Sequence, residues 1–227
     1  MHRKQIDQAI SRIRKLQMRF ETIRHRRWWT AAKILVAVLV SHCCSVALAL
    51  PQDDSDSSEY LIDNTHTSVV FAVSHFGLSY TYGRFNQCEG KFSLKGAELM
   101  ADGFEFTLNS DSIDTNNVER DKHLRGPDFF NTQEFPEIKF VTTKFVEVEG
   151  VYQVTGNLTM LGKTQSLTMP IRLVGIGKGP FGKQRAGYFT KFTVKRSDFG
   201  MDKMAGQIGD KISVTFSFEG VRQASDE

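Results

Sequence analysis

Beyond residue 49 the chain has no tryptophan and one cysteine, Cys88. The other two cysteines, Cys43 and Cys44, sit in an apolar N-terminal segment. If that segment is removed, no intramolecular disulfide can form. Cys88 is then a buried apolar thiol or a point of intermolecular pairing. Histidine is also scarce there: only His66, His75 and His123. A zinc site wants three or four ligands. On one strand His66 and His75 would lie about 30 Å apart and on opposite faces. There is no G-x-S-x-G, no Gly-rich phosphate loop ending in Lys and no H-E-x-x-H. The nucleophile, nucleotide and zinc-protease signatures are thus excluded. No catalytic residue, resident metal or cofactor is expected.

What is present first is a leader. Residues 1–27 are rich in Arg and Lys, then "WWTAAKILVAVLVSHCCSVALA" ends in Ala47-Leu48-Ala49. A basic region, an apolar run and an A-x-A exit read as a secretory signal cleaved near Ala49. Export to the periplasm follows, and Met18 offers an alternative start with a shorter basic region. Trp28–Leu50 is 23 residues, so an uncleaved membrane anchor is the alternative. Lys33 and His42 weaken it as a span. A lipidated Cys43 is disfavoured because His42 stands where a small residue is wanted.

Removing residues 1–49 inverts the charge. The whole chain is +3, but residues 50–227 hold 19 basic and 24 acidic side chains. A net acidic domain lacks the basic footprint of a nucleic-acid binder. Residues 50–59, "LPQDDSDSSE", read as a flexible spacer, 60–222 as one domain, and 223–227 as a tail.

Within 60–222 the apolar residues recur every second position. Phe104, Phe106 and Leu108 alternate with Glu105, Thr107 and Asn109; Ile212, Val214, Phe216 and Phe218 alternate with Ser213, Thr215, Ser217 and Glu219. This is the pattern of strands with one buried face. The spacing predicts about eight strands, near 60–75, 80–95, 103–112, 137–148, 151–160, 164–176, 186–196 and 211–221. The fold class is all-β, an antiparallel barrel or sandwich.

One helix is predicted, over 117–125. Asn116 and Glu119 resemble a capping pair, and Gly126-Pro127 stops the helix. Glu119/His123 and Asp121/Arg125 are spaced as solvated i,i+4 pairs. So short a helix needs tertiary anchors; Val118, Leu124, Phe129 and Phe130 are the candidates.

The aromatic content stands out: 17 Phe and 5 Tyr follow residue 49. An eight-stranded barrel is just wide enough to be filled by side chains or to hold one slim ligand.

Four segments, "DNTHTSVVFAVSHFGLSYTYGRF", "SIDTNNVERDKHLRGPDFFNTQEFPEIKF", "VTGNLTMLGKT" and "KRSDFGM", come in an order and spacing that closely resemble the YceI-like family. The resemblance spans about 60–221. It implies an exported, polyisoprenoid-binding protein with a lipocalin-like barrel and no established enzymatic reaction. The expected partner is an apolar isoprenoid or an amphiphilic lipid of polyprenyl or quinone type, with a homodimer left open. Two positions depart from the family pattern: Cys88 stands where a Phe is usual, and Ser166 where a Pro is often found. A tilted ten-residue strand gives a bore of ~25 Å, room for roughly five or six isoprene units. Inward parity nominates Phe71, Val73, Phe85, Phe104, Phe106, Phe140, Tyr188, Phe192, Phe216 and Phe218 as lining. Arg84, His75, Tyr80 and Tyr82 are candidates to meet a polar head group at the mouth. Two other readings stay open: an enzyme using His75 or His123 as acid/base, and an interaction or stress protein whose barrel is full.

Overall fold

The computed structural model describes residues 57–100 and 103–224. The expected leader, and the last three residues of the tail, lie outside the described residues. Among these, twelve strands form one antiparallel sheet: β1 (Ser57–Ile62), β2 (Ser68–His75), β3 (Ser79–Phe85), β4 (Cys88–Lys95), β5 (Glu98–Leu99), β6 (Glu105–Asn109), β7 (Ile113–Asp114), β8 (Glu137–Val148), β9 (Val151–Met160), β10 (Lys163–Lys178), β11 (Gln184–Lys195) and β12 (Ile208–Arg222). β12 is the seam. One edge pairs with β11; the other pairs with β2 and then, further along, with β1. This closes the sheet on itself. β1 starts at Ser57, inside the stretch read as spacer, because Ser57–Glu59 pair with Ser93–Lys95.

β1 and β2 are two halves of one kinked strand, as are β3 and β4, and β6 and β7. Counted so, and with the two-residue β5 set aside as a flap pairing only with β4, the barrel has eight staves, matching the eight expected. The first two kinks lie side by side. Asp63 caps the single 3-10 turn Asn64–His66 by accepting from the Thr65 N–H at 3.0 Å. Asn64 then bridges to the neighbouring break, accepting from the Cys88 N–H at 2.7 Å and donating to the Asn86 carbonyl at 3.2 Å. Its side chain supplies hydrogen bonds that the interrupted ladder does not.

The helix α1 (Val118–Arg125) covers the place where the ring is weakest. β7 pairs only with β3, so its other edge has free backbone groups. Side chains of α1 take the place of a strand. Asp121, buried, accepts from both the backbone N–H and the hydroxyl of Thr115. Arg120 donates to the Thr115 carbonyl at 2.7 Å. Arg125 donates to the carbonyls of Asp111 and Ile113 at 2.8 and 2.7 Å. The expected i,i+4 pairs are therefore corrected: Asp121 and Arg125 serve the sheet edge instead, and His123 meets Asp128 rather than Glu119. The cap is Asn117, whose side chain accepts from the Arg120 N–H at 2.9 Å. Asn116 is not the cap because it occupies the left-handed region at φ +58°, which Asn tolerates. Val118 is exposed and anchors nothing, whereas Phe129 is buried and Leu124 and Phe130 are partly buried against the core.

Candidate functional site

The barrel interior divides into a filled half and an open half. In the filled half the aromatic rings form a continuous column. Tyr60 stacks on Phe92 at 5.3 Å, Phe92 meets Phe218 at 5.7 Å and Tyr188 at 5.4 Å, and Phe218 stacks on Phe104 at 5.2 Å. Phe140 joins through Phe104 and Phe106, at 6.0 and 5.3 Å. Gly220 makes room for Phe92, whose ring lies 2.4 Å from where a Cβ would sit. Ring pairs at these separations add to the burial of their area.

The column ends at Phe106 and Phe216, and beyond them lies an apolar cavity of about 450 Å³. Val69, Phe71, Val73 and Phe85 come from β2 and β3; Phe192, Val194, Ile212 and Val214 from β11 and β12; Leu158 and Met160 from β9. Gly83 keeps the wall thin: a Cβ there would lie 2.3 Å from the Phe71 ring and 2.7 Å from Thr115. Leu124, Phe129 and Phe130 close the side where β7 has no further strand. The remaining wall is the loop after β11. Arg196, buried, holds that loop by donating to the carbonyls of Met201 at 2.6 Å, Lys203 at 2.8 Å, and Gly209 and Ile208 at 3.2 Å each. Met201 and Met204 are thereby set into the lining.

Four lining residues are themselves exposed and mark the rim: His75, Glu119, Arg120 and His123. His123 Nε2 lies 3.3 Å from an Asp128 oxygen, and Lys203 Nζ is 3.3 Å from the same oxygen. Hydrogen bonds from those two side chains, His123 first, hold the Asp128 carboxyl below its usual range.

Of the nominated lining residues, Phe71, Val73, His75, Phe85, Phe106, Phe192 and Phe216 surround the cavity. Phe104, Phe140, Tyr188 and Phe218 have the right parity but lie in the aromatic column, which corrects the full-length bore to about half of one. Tyr82 and Arg84 are also corrected. They share the outer face of β3 with Tyr80, all three exposed. Only His75 of the four head-group candidates reaches the rim. The Arg196–Ile208 loop was missed as a cavity wall, and the sequence marks the helix as a clasp at one end of the bore, without its residues among the lining. Their alternation-free sequence carries no inward parity, though the packed apolar residues Leu124, Phe129 and Phe130 were legible as anchors. Cys88 is not in the cavity wall. It is buried between strands, and burial pushes its thiol up to about 12.

Asp63, His66 and Glu219 come within metal-ligand range of one another. Arg185 already fills that role as a cation. Its guanidinium pairs with Asp63 at 2.8 Å and with Glu219. A metal ion would have to displace it. Among the described residues no helix is long and apolar enough to cross a membrane.

Comparison with known proteins agrees with this geometry. A UPF0312 protein of Shewanella denitrificans is 38% identical over 190 residues, covering 82% of this chain and 98% of that one. Among solved structures, BcnA of Burkholderia cenocepacia superposes with a TM-score of 0.62 at 22% identity, covering 70% of this chain and 98% of its own. A polyisoprenoid binding domain from Saccharophagus degradans does so with 0.56 at 13%, covering 72% and 98%. The YceI-like domain model matches residues 60–220; the chain belongs to the YceI-like family.

Proposed function

We propose that this protein is an exported lipid-binding protein that carries, stores or shields a single-chain isoprenoid or similar amphiphile in its barrel. The observation that carries the reading is the apolar cavity, floored by Phe106 and Phe216 and open at a rim bearing His75, Glu119, Arg120 and His123. Its volume lies within the usual range for small-molecule sites. At the ~30 Å³ of a water-sized group it takes roughly fifteen CH₂-sized groups, about three isoprene units. A longer tail would leave its remainder at the rim. Each buried CH₂ contributes about 0.8 kcal/mol before the costs of ordering the ligand. The likeness to the Saccharophagus degradans domain, described as polyisoprenoid binding, supports the same chemistry. The Arg120 guanidinium and the imidazoles of His75 and His123 at the rim suit a phosphate or carbonyl head group.

The enzymatic reading draws on the contact of His123 with Asp128. A base needs a nucleophile or water held beside it. The Thr115 hydroxyl in the lining is committed to Asp121 and Arg120. Binding is therefore the better-supported function.

The test is native mass spectrometry of protein purified from its own host, followed by solvent extraction. A retained apolar ligand is expected. An empty barrel that also takes up neither prenols nor quinones would count against lipid binding. His75→Ala and His123→Ala proteins that stay folded and lipid-loaded are expected, and loss of a turnover in either would favour catalysis.

A further inference from the structure

The hairpin between β2 and β3 sits beside the rim and presents apolar side chains to solvent. Phe76 is 51% exposed, Leu78 88% and Tyr80 67%, while His75 and Thr81 of the same hairpin line the cavity. The turn is braced. The Phe76 N–H donates to the Gln207 carbonyl at 2.7 Å and the Leu78 N–H to His75 at 3.0 Å. The rings of His75 and Phe76 meet edge to face at 4.6 Å. Phe76 is held at φ +52°, where bulky residues are uncommon. An exposed apolar tip on a braced turn contributes nothing to the core and calls for a partner. Charge narrows the choice. No Asp or Glu occurs between Asp63 and Glu89, although residues 50–227 are net acidic. Arg120 and His123 stand on the rim, with one carboxylate, Glu119. Leu and Phe flanked by Tyr, without carboxylates, suit the interface of a bilayer with anionic head groups.

We infer that this tip docks the cavity mouth onto a lipid bilayer, letting an apolar ligand pass between membrane and cavity. The inference rests on the lipid-binding reading above. A second exposed apolar tip, Phe181 in the β10–β11 hairpin, lies at the opposite end of β11 from the cavity and serves as the control.

The experiment uses the full chain, wild type and a Phe76→Ser/Leu78→Asp double variant, with vesicles of phosphatidylethanolamine and phosphatidylglycerol. Hydrogen exchange is followed by peptide, and farnesol is the transfer probe. Vesicles are expected to slow exchange at Gly77–Tyr80 but not at Pro180–Gly182. The double variant loses that protection and draws farnesol from vesicles at least about tenfold more slowly. It takes up farnesol from dilute solution as wild type does, since neither residue lines the cavity. Unchanged exchange at the tip, equal protection at Phe181, or wild-type extraction by the variant overturns the inference. So does tip protection that rises with protein concentration without vesicles, which would mean a second copy. Failure of farnesol uptake from solution sinks the lipid-binding reading instead, leaving docking to be judged by exchange alone.

Discussion

The rings of Phe106 and Phe216 meet edge to face at 4.9 Å, and this pair divides the barrel. On one side each touches the aromatic column, Phe106 through Phe140 and Phe216 through Phe218 at 4.7 Å. On the other side both face the cavity.

Phe218→Ala and Phe192→Ala should therefore behave differently. Phe218 is fully buried among rings, so its loss leaves a void costing about 3–5 kcal/mol. Phe192 already borders open space, and its loss should cost less than about 2 kcal/mol. Urea denaturation gives the stabilities and a prenol titration the affinities. Binding should change in Phe192→Ala and hardly in Phe218→Ala. Equal stability costs would mean that the barrel is full.

Asp121→Ala should loosen the helix. It strips the buried Thr115 N–H and hydroxyl of their acceptor, at about 1–3 kcal/mol. Hydrogen exchange should quicken first across Val118–Arg125 and β7, before the rest of the barrel.

Arg196→Lys should not rescue Arg196→Ala. The guanidinium reaches four carbonyls at once. An ammonium has a different reach and three donors. Both variants should lose at least about 2 kcal/mol, and both should alter ligand uptake, because Met201 and Met204 ride on the same loop. A fully active Lys variant would show that charge alone suffices.

Asp63→Asn should reveal an acid-dependent contribution. Hydrogen bonds from Thr65, then from His66 and Arg185, hold the Asp63 carboxyl well below its usual range. A depressed carboxyl stabilises the fold above its unfolded value, near 3.9, and loses that contribution as pH falls toward the folded value. Asn keeps the Oδ1 cap but replaces the Oδ2 acceptor of His66 and Arg185 with a donor, so only the pH-dependent part of the difference reports the charge. Wild type should exceed the variant by about 1–2 kcal/mol from neutral pH to about pH 5. The gap should narrow below about pH 4. A gap that is constant down to pH 2 would show that the charge is irrelevant.

Cys88 should resist alkylation in the native protein and react after denaturation, as peptide mapping with iodoacetamide would show. Burial, and a thiol raised to about 12, leave little thiolate at neutral pH. Native modification would mean that the strand opens. Processing has its own optical check. Residues 50–227 contain no Trp, so chain cleaved near Ala49 should lack Trp emission.

The strands were legible because runs with a period of two mark them, as in Phe104–Leu108 and Ile212–Phe218, broken only at irregularities in β8, β10 and β12. The helix was legible through its stop at Gly126-Pro127, and its start to within one residue. The roles of its charges were not, because Asp121 and Arg125 bond to Thr115, just past β7, and to Ile113 within it, groups that only the closed ring brings near.

Parity assigned Phe71, Val73, Phe85, Phe104, Phe106, Phe140, Tyr188, Phe192, Phe216 and Phe218 to the interior, and all ten are buried or half-buried there. By itself, then, the sequence determined an eight-staved barrel, its inward faces and its family. Tertiary structure alone decided which interior residues make a column and which a wall. Alternation reports the side of a strand and carries no information on height along the barrel axis. Height depends on register and on which rings meet across the bore, as Phe104 meets Phe218. It also depends on the loops, where Arg196 and Asp121 set the walls that no periodicity announces.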